Sequence, residues 1–154
     1  MHKPASKINR DNLLFHLALL TRQWRQVLDT EIQASGLTGA TWRPLLHLSR
    51  LGDGTRQKEL AASLGIEGPS IVRILDTLLA KGLILRTEDV SDRRAKLLFL
   101  TPAGQLLVEQ VQATVMSLEH ELLGAFSDQE VSLLGKLVER LEFCVSAARR
   151  PGKQ

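Results

Sequence analysis

The run QKELAASLGIEGPSIVRILDTLLAKGLI, residues 57–84, admits few folds. Leu60, Leu64, Ile66, Ile71 and Ile74 mark the apolar positions of two short helices. Ala61 stands where the helices must approach closely, and Gly65 falls where a tight turn often needs a positive φ. A small residue, a four-residue step to glycine and then paired apolar positions spell a helix-turn-helix, although any crossed helix pair can imitate the pattern. Gly68 and Pro69 open the second helix, with Pro69 near its first helical position, where the missing N–H breaks no bond.

Along that second helix Ile71, Ile74, Leu75 and Leu78 gather on one side, while Ser70, Arg73 and Thr77 lie on or beside the other. Two readings of the polar side stand together. It is a solvated helix face, or it is a face laid in a major groove, where a guanidinium bonds guanine O6 and N7 and a hydroxyl takes a phosphate or base edge. The next stretch, LILRTEDVSDRRAKLLFLT (residues 83–101), has apolar runs at Leu83 to Leu85 and Leu97 to Leu100 around a polar loop, which predicts a β-hairpin. A helix-turn-helix followed by a hairpin is a winged helix. Within SDRRAK, Asp92, Arg93 and Arg94 then sit at the wing tip. Alone they fit a solvated turn; after a recognition helix they fit a neighbouring minor groove, whose narrow A·T-rich form attracts arginine.

The flanks are helical. Leu13, Leu17, Leu20, Trp24, Val27 and Leu28 recur at three- and four-residue steps, predicting an amphipathic helix over Leu13 to Ile32 that Gly36 can stop. Thr38 or Thr41 can cap the next helix. Pro44 suits only a first turn, so that helix is expected to begin at about Thr41. Thr101 and Pro102 open a long helix with the stripe Leu106, Val111, Val115, Leu118 and Leu122. Ser127 and Glu130 form a capping box before a second stripe at Val131, Leu134, Leu137, Val138 and Leu141. Three long terminal helices around a small middle unit point to a bundle between two subunits, or to a bundle within one chain. The expected fold is therefore mainly α with a small β-hairpin wing. The winged helix-turn-helix occupies residues 37–101, and residues 1–36 with 102–154 form a helical dimerisation region.

Charge argues for placement over bulk attraction. Residues 53–101 hold eight Lys/Arg against seven Asp/Glu. If that segment meets a polyanion, particular arginines must do it. The one cysteine, Cys144, excludes an internal disulfide and favours a reducing compartment; its run LEFCVSA predicts a buried small hydrophobe. No stretch approaches the length of a membrane span, and MHKPASKINRDNL lacks the apolar segment of a signal peptide, so a cytoplasmic protein is expected. His2, His16, His47 and His120 are scattered, and no metal-ligand cluster, glycine-rich phosphate loop or nucleophile elbow occurs. Neither an enzyme nor a cofactor is expected.

The run GPSIVRILDTLLAKGLILRTEDVSDRRAKLLFLTPAG (residues 68–104) resembles the MarR family of bacterial transcriptional regulators. With Thr41–Trp42 upstream and EGPSIVR, it looks most like the SlyA branch. The resemblance implies a homodimer with interlocked terminal helices, binding a pseudo-palindromic double-stranded operator. It places Ser70 and Arg73 at the major groove, Arg93 in the minor groove and Asp92 as the residue positioning that arginine. Arg94 is assigned to a phosphate or to an ion pair within the domain. The family's habit of sensing aromatic acids or phenols implies an effector near Trp42, Leu46 and Arg25. The absence of a cysteine near the N-terminal helix speaks against thiol sensing, and Pro44 and the lack of Tyr depart from the pattern. The expected function is a repressor released by such a ligand. The alternatives are a regulator that activates by displacing another DNA-bound protein, and a winged-helix module that binds protein.

Overall fold

The computed structural model of the chain describes residues 7–148. Its elements are α1 (Leu13–Gln33), α2 (Gly39–Leu51), β1 (Thr55–Arg56), α3 (Gln57–Leu64), α4 (Pro69–Ala80), β2 (Ile84–Glu88), β3 (Lys96–Leu100), α5 (Pro102–Leu123) and α6 (Asp128–Ala148). They fall into two compact units that meet inside α5, one ending at Val115 and the other starting at Met116. The MHKPAS opening, His2 and the last six residues of the expected dimerisation region lie outside the described residues.

In the first unit α2, α3, α4 and the sheet share a core. Leu45, Leu48, Leu60, Leu75, Leu78, Ile84 and Leu98 are each at most 1% exposed. At roughly 1.5–3 kcal/mol per buried aliphatic side chain, this cluster is what fixes α4 against the base of the sheet. The sheet is antiparallel in the order β1-β3-β2, with Ile84 opposite Leu100, Glu88 opposite Lys96 and Thr55 opposite Leu98. The two-residue strand β1 was not expected: it has no alternation to read and owes its pairing to a partner more than forty residues away.

Helix α2 corrects the sequence reading. It starts at Gly39 behind the extended N-cap Thr38, two residues before Thr41, which leaves Pro44 inside the helix and past the first turn. Thr38 O accepts the N–H groups of Thr41 and Trp42. Asp29 of α1 bonds Arg43, and a Cβ on Gly39 would lie 2.8 Å from Asp29 Oδ1. This close approach to α1 sets where α2 begins, and it outweighs the N–H that Pro44 cannot give.

Helix α5 begins as expected, with Thr101 Oγ1 accepting the Gly104 N–H at 3.1 Å. Its buried residues are Gly104, Val108, Val111 and Val115, so Leu106, expected in the stripe, is off phase and 58% exposed. In the second unit the Ser127–Glu130 capping box is formed: Glu130 carboxylate accepts the Ser127 N–H, and Ser127 Oγ accepts the Glu130 N–H. No residue of α6 is buried. Cys144 is consequently exposed, against the expectation of a core position, because an apolar run becomes core only where something covers it. No helix among the described residues is long and apolar enough to cross a membrane.

Candidate nucleic-acid interface

The turn between α3 and α4 is built by two glycines. Gly65, at φ +66°, ends α3 in the left-handed conformation, and the Ile66 N–H reaches back to Ala61 O at 3.0 Å. Gly68, at φ +55°, delivers the chain to Pro69 at the first position of α4. Ala61 is buried.

Helix α4 buries Ile71, Leu75 and Leu78 and half-buries Ile74. Ser70, Arg73 and Thr77 are all exposed, and their three- and four-residue steps put them on one face. The Thr77 hydroxyl donates to Arg73 O at 3.0 Å, which leaves its oxygen lone pairs turned outward as acceptors. Among the described residues Arg73 makes no ion pair, whereas Asp76, on the side toward the sheet, faces Arg86 of β2 at 3.5 Å.

The wing is the β2–β3 hairpin, and its loop is organised by carboxylates. Asp89 N–H donates to Ala95 O, closing the loop, and Ala95 N–H donates to Asp92 O at 2.8 Å. Asp92 Oδ1 accepts the Arg94 backbone N–H at 3.1 Å. Among the described residues it has no bond to the Arg93 guanidinium, so in the free protein Asp92 shapes the turn and Arg93 projects from it. Asp92, Arg93 and Arg94 are all exposed. Arg94 makes no ion pair among the described residues; the pair that ties the loop to the rest of the unit is Arg56–Asp89, at 2.8 Å. Sequence reasoning missed it, since its partners stand 33 residues apart. Hydrogen bonds from Ser91 and then from Arg56 hold the Asp89 carboxyl below the usual carboxylate range. Between α3, the start of α4 and the wing loop lies an open cleft of about 630 Å³, lined by residues including Arg56, Lys58, Val72, Arg94 and Lys96.

The residues expected near a ligand are placed differently from one another. Trp42 and Leu46 are 3% and 6% exposed within the packed core, and Arg25 is exposed on α1. Trp42 Nε1 is buried with no hydrogen-bond partner among the described residues, and the Arg43 guanidinium lies 5.4 Å from the ring centre. His47, one turn on, shares a 2.7 Å hydrogen bond with Ser63 of α3. Partial burial, then Arg50, Arg25 and Arg43, push its pKa below the ordinary imidazole value.

Residues 35–95, from the end of α1 to the wing loop, match the MarR family. Among solved structures the chain is similar to the transcriptional regulator PA3341, at 36% identity over 86% of this chain and 97% of that one, with a TM-score of 0.77. It is similar to MarR at 28% identity over 94% and 98%, with a TM-score of 0.77. A variant of MepR from S. aureus bound to an oligodeoxyribonucleotide shares the fold, at 23% identity over 85% and 96% and a TM-score of 0.55. The helix-turn-helix, its wing and these similarities together show that the chain belongs to the MarR family of winged-helix transcriptional regulators.

Proposed function

We propose that the protein is a cytoplasmic, homodimeric, sequence-specific DNA-binding repressor that a small aromatic or phenolic ligand releases from its operator. The observation that carries this reading is that one compact unit exposes Ser70, Arg73 and Thr77 along α4 and Asp92, Arg93 and Arg94 at the wing tip. Helix α4 lies in the major groove, where Arg73 bonds guanine O6 and N7, the Ser70 hydroxyl takes a phosphate or base edge, and the Thr77 oxygen accepts from a base-edge donor. Arg93 enters the adjacent minor groove, and Arg94 holds a phosphate. The MepR variant that shares the fold is bound to an oligodeoxyribonucleotide, and the proposed partner is of that class.

Dimerisation through residues 1–36 and 102–154 is supported by apolar surface that a single chain leaves uncovered. Leu14, Phe15 and Leu20 of α1 are each 59% exposed or more, and Leu134, Leu137 and Val138 of α6 are all over 40% exposed. A two-fold dimer predicts an imperfect palindrome with half-sites about one helical turn apart. The effector, a small aromatic acid or phenol, engages the region of Arg25, Trp42 and Leu46 and favours a dimer whose recognition helices are misplaced. A few kcal/mol of differential affinity suffices.

Footprinting of the DNA upstream of the protein's own gene, at stated salt, tests the reading. A protected palindrome that candidate aromatic acids release supports it, and no protected palindrome there or genome-wide refutes it. The near-neutral charge of residues 53–101 favours one competitor, a winged-helix module that binds protein. In that case the wild type shows no DNA affinity, and Arg73→Ala and Arg93→Ala leave its partner profile unchanged.

A further inference from the structure

The wing loop is held across an open space. The cleft of about 630 Å³ separates it from α3 and the start of α4, so side-chain packing does not fix the direction in which the tip points. Among the described residues, one side-chain hydrogen bond runs from the 89–95 loop to the edge of the helix-turn-helix: Arg56 to Asp89 Oδ2, at 2.8 Å. Both ends of this contact are anchored. Arg56 belongs to β1, pairs with Leu97 across the sheet, and donates its backbone N–H to Glu59 Oε2 at the start of α3. The other oxygen of Asp89 accepts the Ser91 N–H at 2.9 Å and the Ser91 hydroxyl at 2.7 Å, while the Asp89 N–H closes the loop on Ala95. A single carboxylate thus shapes the first half of the loop with one oxygen and ties it to the first helix of the helix-turn-helix with the other.

We infer that Arg56 and Asp89 are positioning residues for DNA recognition: they fix the wing tip, and with it Arg93, relative to α4 without touching a base. The inference rests on the DNA-binding reading above. An untethered loop must be ordered when it binds, and that entropy is subtracted from the affinity of the minor-groove contact. The pair also makes an unusual prediction of sign. Asp89→Asn removes a negative charge from a surface that faces a polyanion, so bulk electrostatics alone would strengthen binding. As a tether, the same change sets the amide of residue 89 against the Arg56 guanidinium and weakens binding.

The test uses the full-length protein and an operator duplex, with Arg56→Ala, Asp89→Asn, the double variant and Arg56→Lys. Each single variant is expected to lose affinity about five- to tenfold, the size of coupling within one hydrogen-bonded network. The double should be no worse than the weaker single, Arg56→Lys should recover part of the loss, and discrimination between A·T and G·C should fall only under the wing. Stronger binding by Asp89→Asn, additive losses in the double, or a salt slope reduced by about one in Arg56→Ala, the mark of a direct phosphate contact, would overturn the inference. Hydrogen exchange without DNA supplies a second arm. The Asp89 and Ala95 amides should exchange faster in both single variants, and unchanged rates refute the tether. If the wild type binds no DNA, the functional reading fails while the exchange arm still decides whether the tether exists.

Discussion

Gly104→Ala is the most severe test of how the first unit is assembled. Gly104 lies in the first turn of α5, and an added Cβ would stand 2.0 Å from Leu83 O and 3.1 Å from Leu83 C. Neighbouring Cβ atoms essentially never come within 3.0 Å of another heavy atom, so the helix start and the strand entry must separate by at least about 1 Å. The obstacle is backbone, which no rotamer change relieves. The same Leu83 oxygen accepts the Thr101 N–H at 3.1 Å, and that bond stretches with the separation. Overpacking of a filled site costs about 1–3 kcal/mol and a lost hydrogen bond about 1 kcal/mol, against about 1 kcal/mol returned by alanine's helix propensity. The net is a loss of about 2 kcal/mol, or about 4–8 °C in Tm for a chain of this size. Circular dichroism melts at one fixed protomer concentration measure it, since self-association makes Tm concentration-dependent. A variant as stable as the wild type would show that α5 does not need this approach to Leu83.

Other expectations follow from single side chains. Arg93→Ala should cost about 1–3 kcal/mol in operator binding and relax A·T preference under the wing, whereas Arg94→Ala should weaken all sequences alike and lower the salt slope by about one; titrations on matched duplexes at several salt concentrations separate the two. Ser127→Ala removes the acceptor of the Glu130 N–H and should destabilise α6 by about 1 kcal/mol, read by thermal unfolding. His47 has a folded pKa below its ordinary 6.5, so the unfolded chain binds the proton first as pH falls. Its contribution is therefore neutral above that value, and stability drops as pH falls from about 6.5 toward the folded pKa. Denaturant titrations across that range should show a weaker pH dependence in His47→Gln.

What the sequence made legible was what neighbouring residues decide. Gly65, Gly68 and Pro69 fix a turn through their own backbone limits, and the exposure of Ser70, Arg73 and Thr77 follows from helical period. The misses came from contacts between distant residues, from the phase of one helix and from a face that nothing in the chain covers. Pro44 was weighed by its place in an isolated helix, while Asp29, Gly39 and Arg43 decide where α2 starts. Strand β1 exists because Leu97 and Leu98 offer it a ladder. Leu106 was read into a stripe that helical phase gives to Val108. Cys144 was placed in a core because its neighbours are apolar, but hydrophobicity does not say what will cover a face, and nothing in α6 is buried within the chain. The resemblance gives Asp92 the positioning of Arg93; its carboxylate accepts the Arg94 backbone N–H, a contact that no sequence period announces.

The near-neutral charge of residues 53–101 looked like evidence against a polyanion partner, and the structure changes its meaning. Three of the eight cations are spent inside the unit: Arg56 on Asp89, Arg86 on Asp76 and Lys96 on Glu88. The first ties wing to helix-turn-helix, the second joins β2 to α4, and the third spans the hairpin ladder, so all three are internal to the unit. Among the described residues Arg73, Arg93 and Arg94 are outside any ion pair, and they stand on the exposed face of α4 and at the wing tip. Charges separated in this way produce little long-range field but leave guanidinium groups free where a groove would meet them. A surface of this kind gains less from nonspecific attraction to phosphate and depends more on the geometry of a few arginines. On that reading the Arg56–Asp89 tether proposed above, which aims one of them, adds to recognition a part smaller than that of the arginine itself.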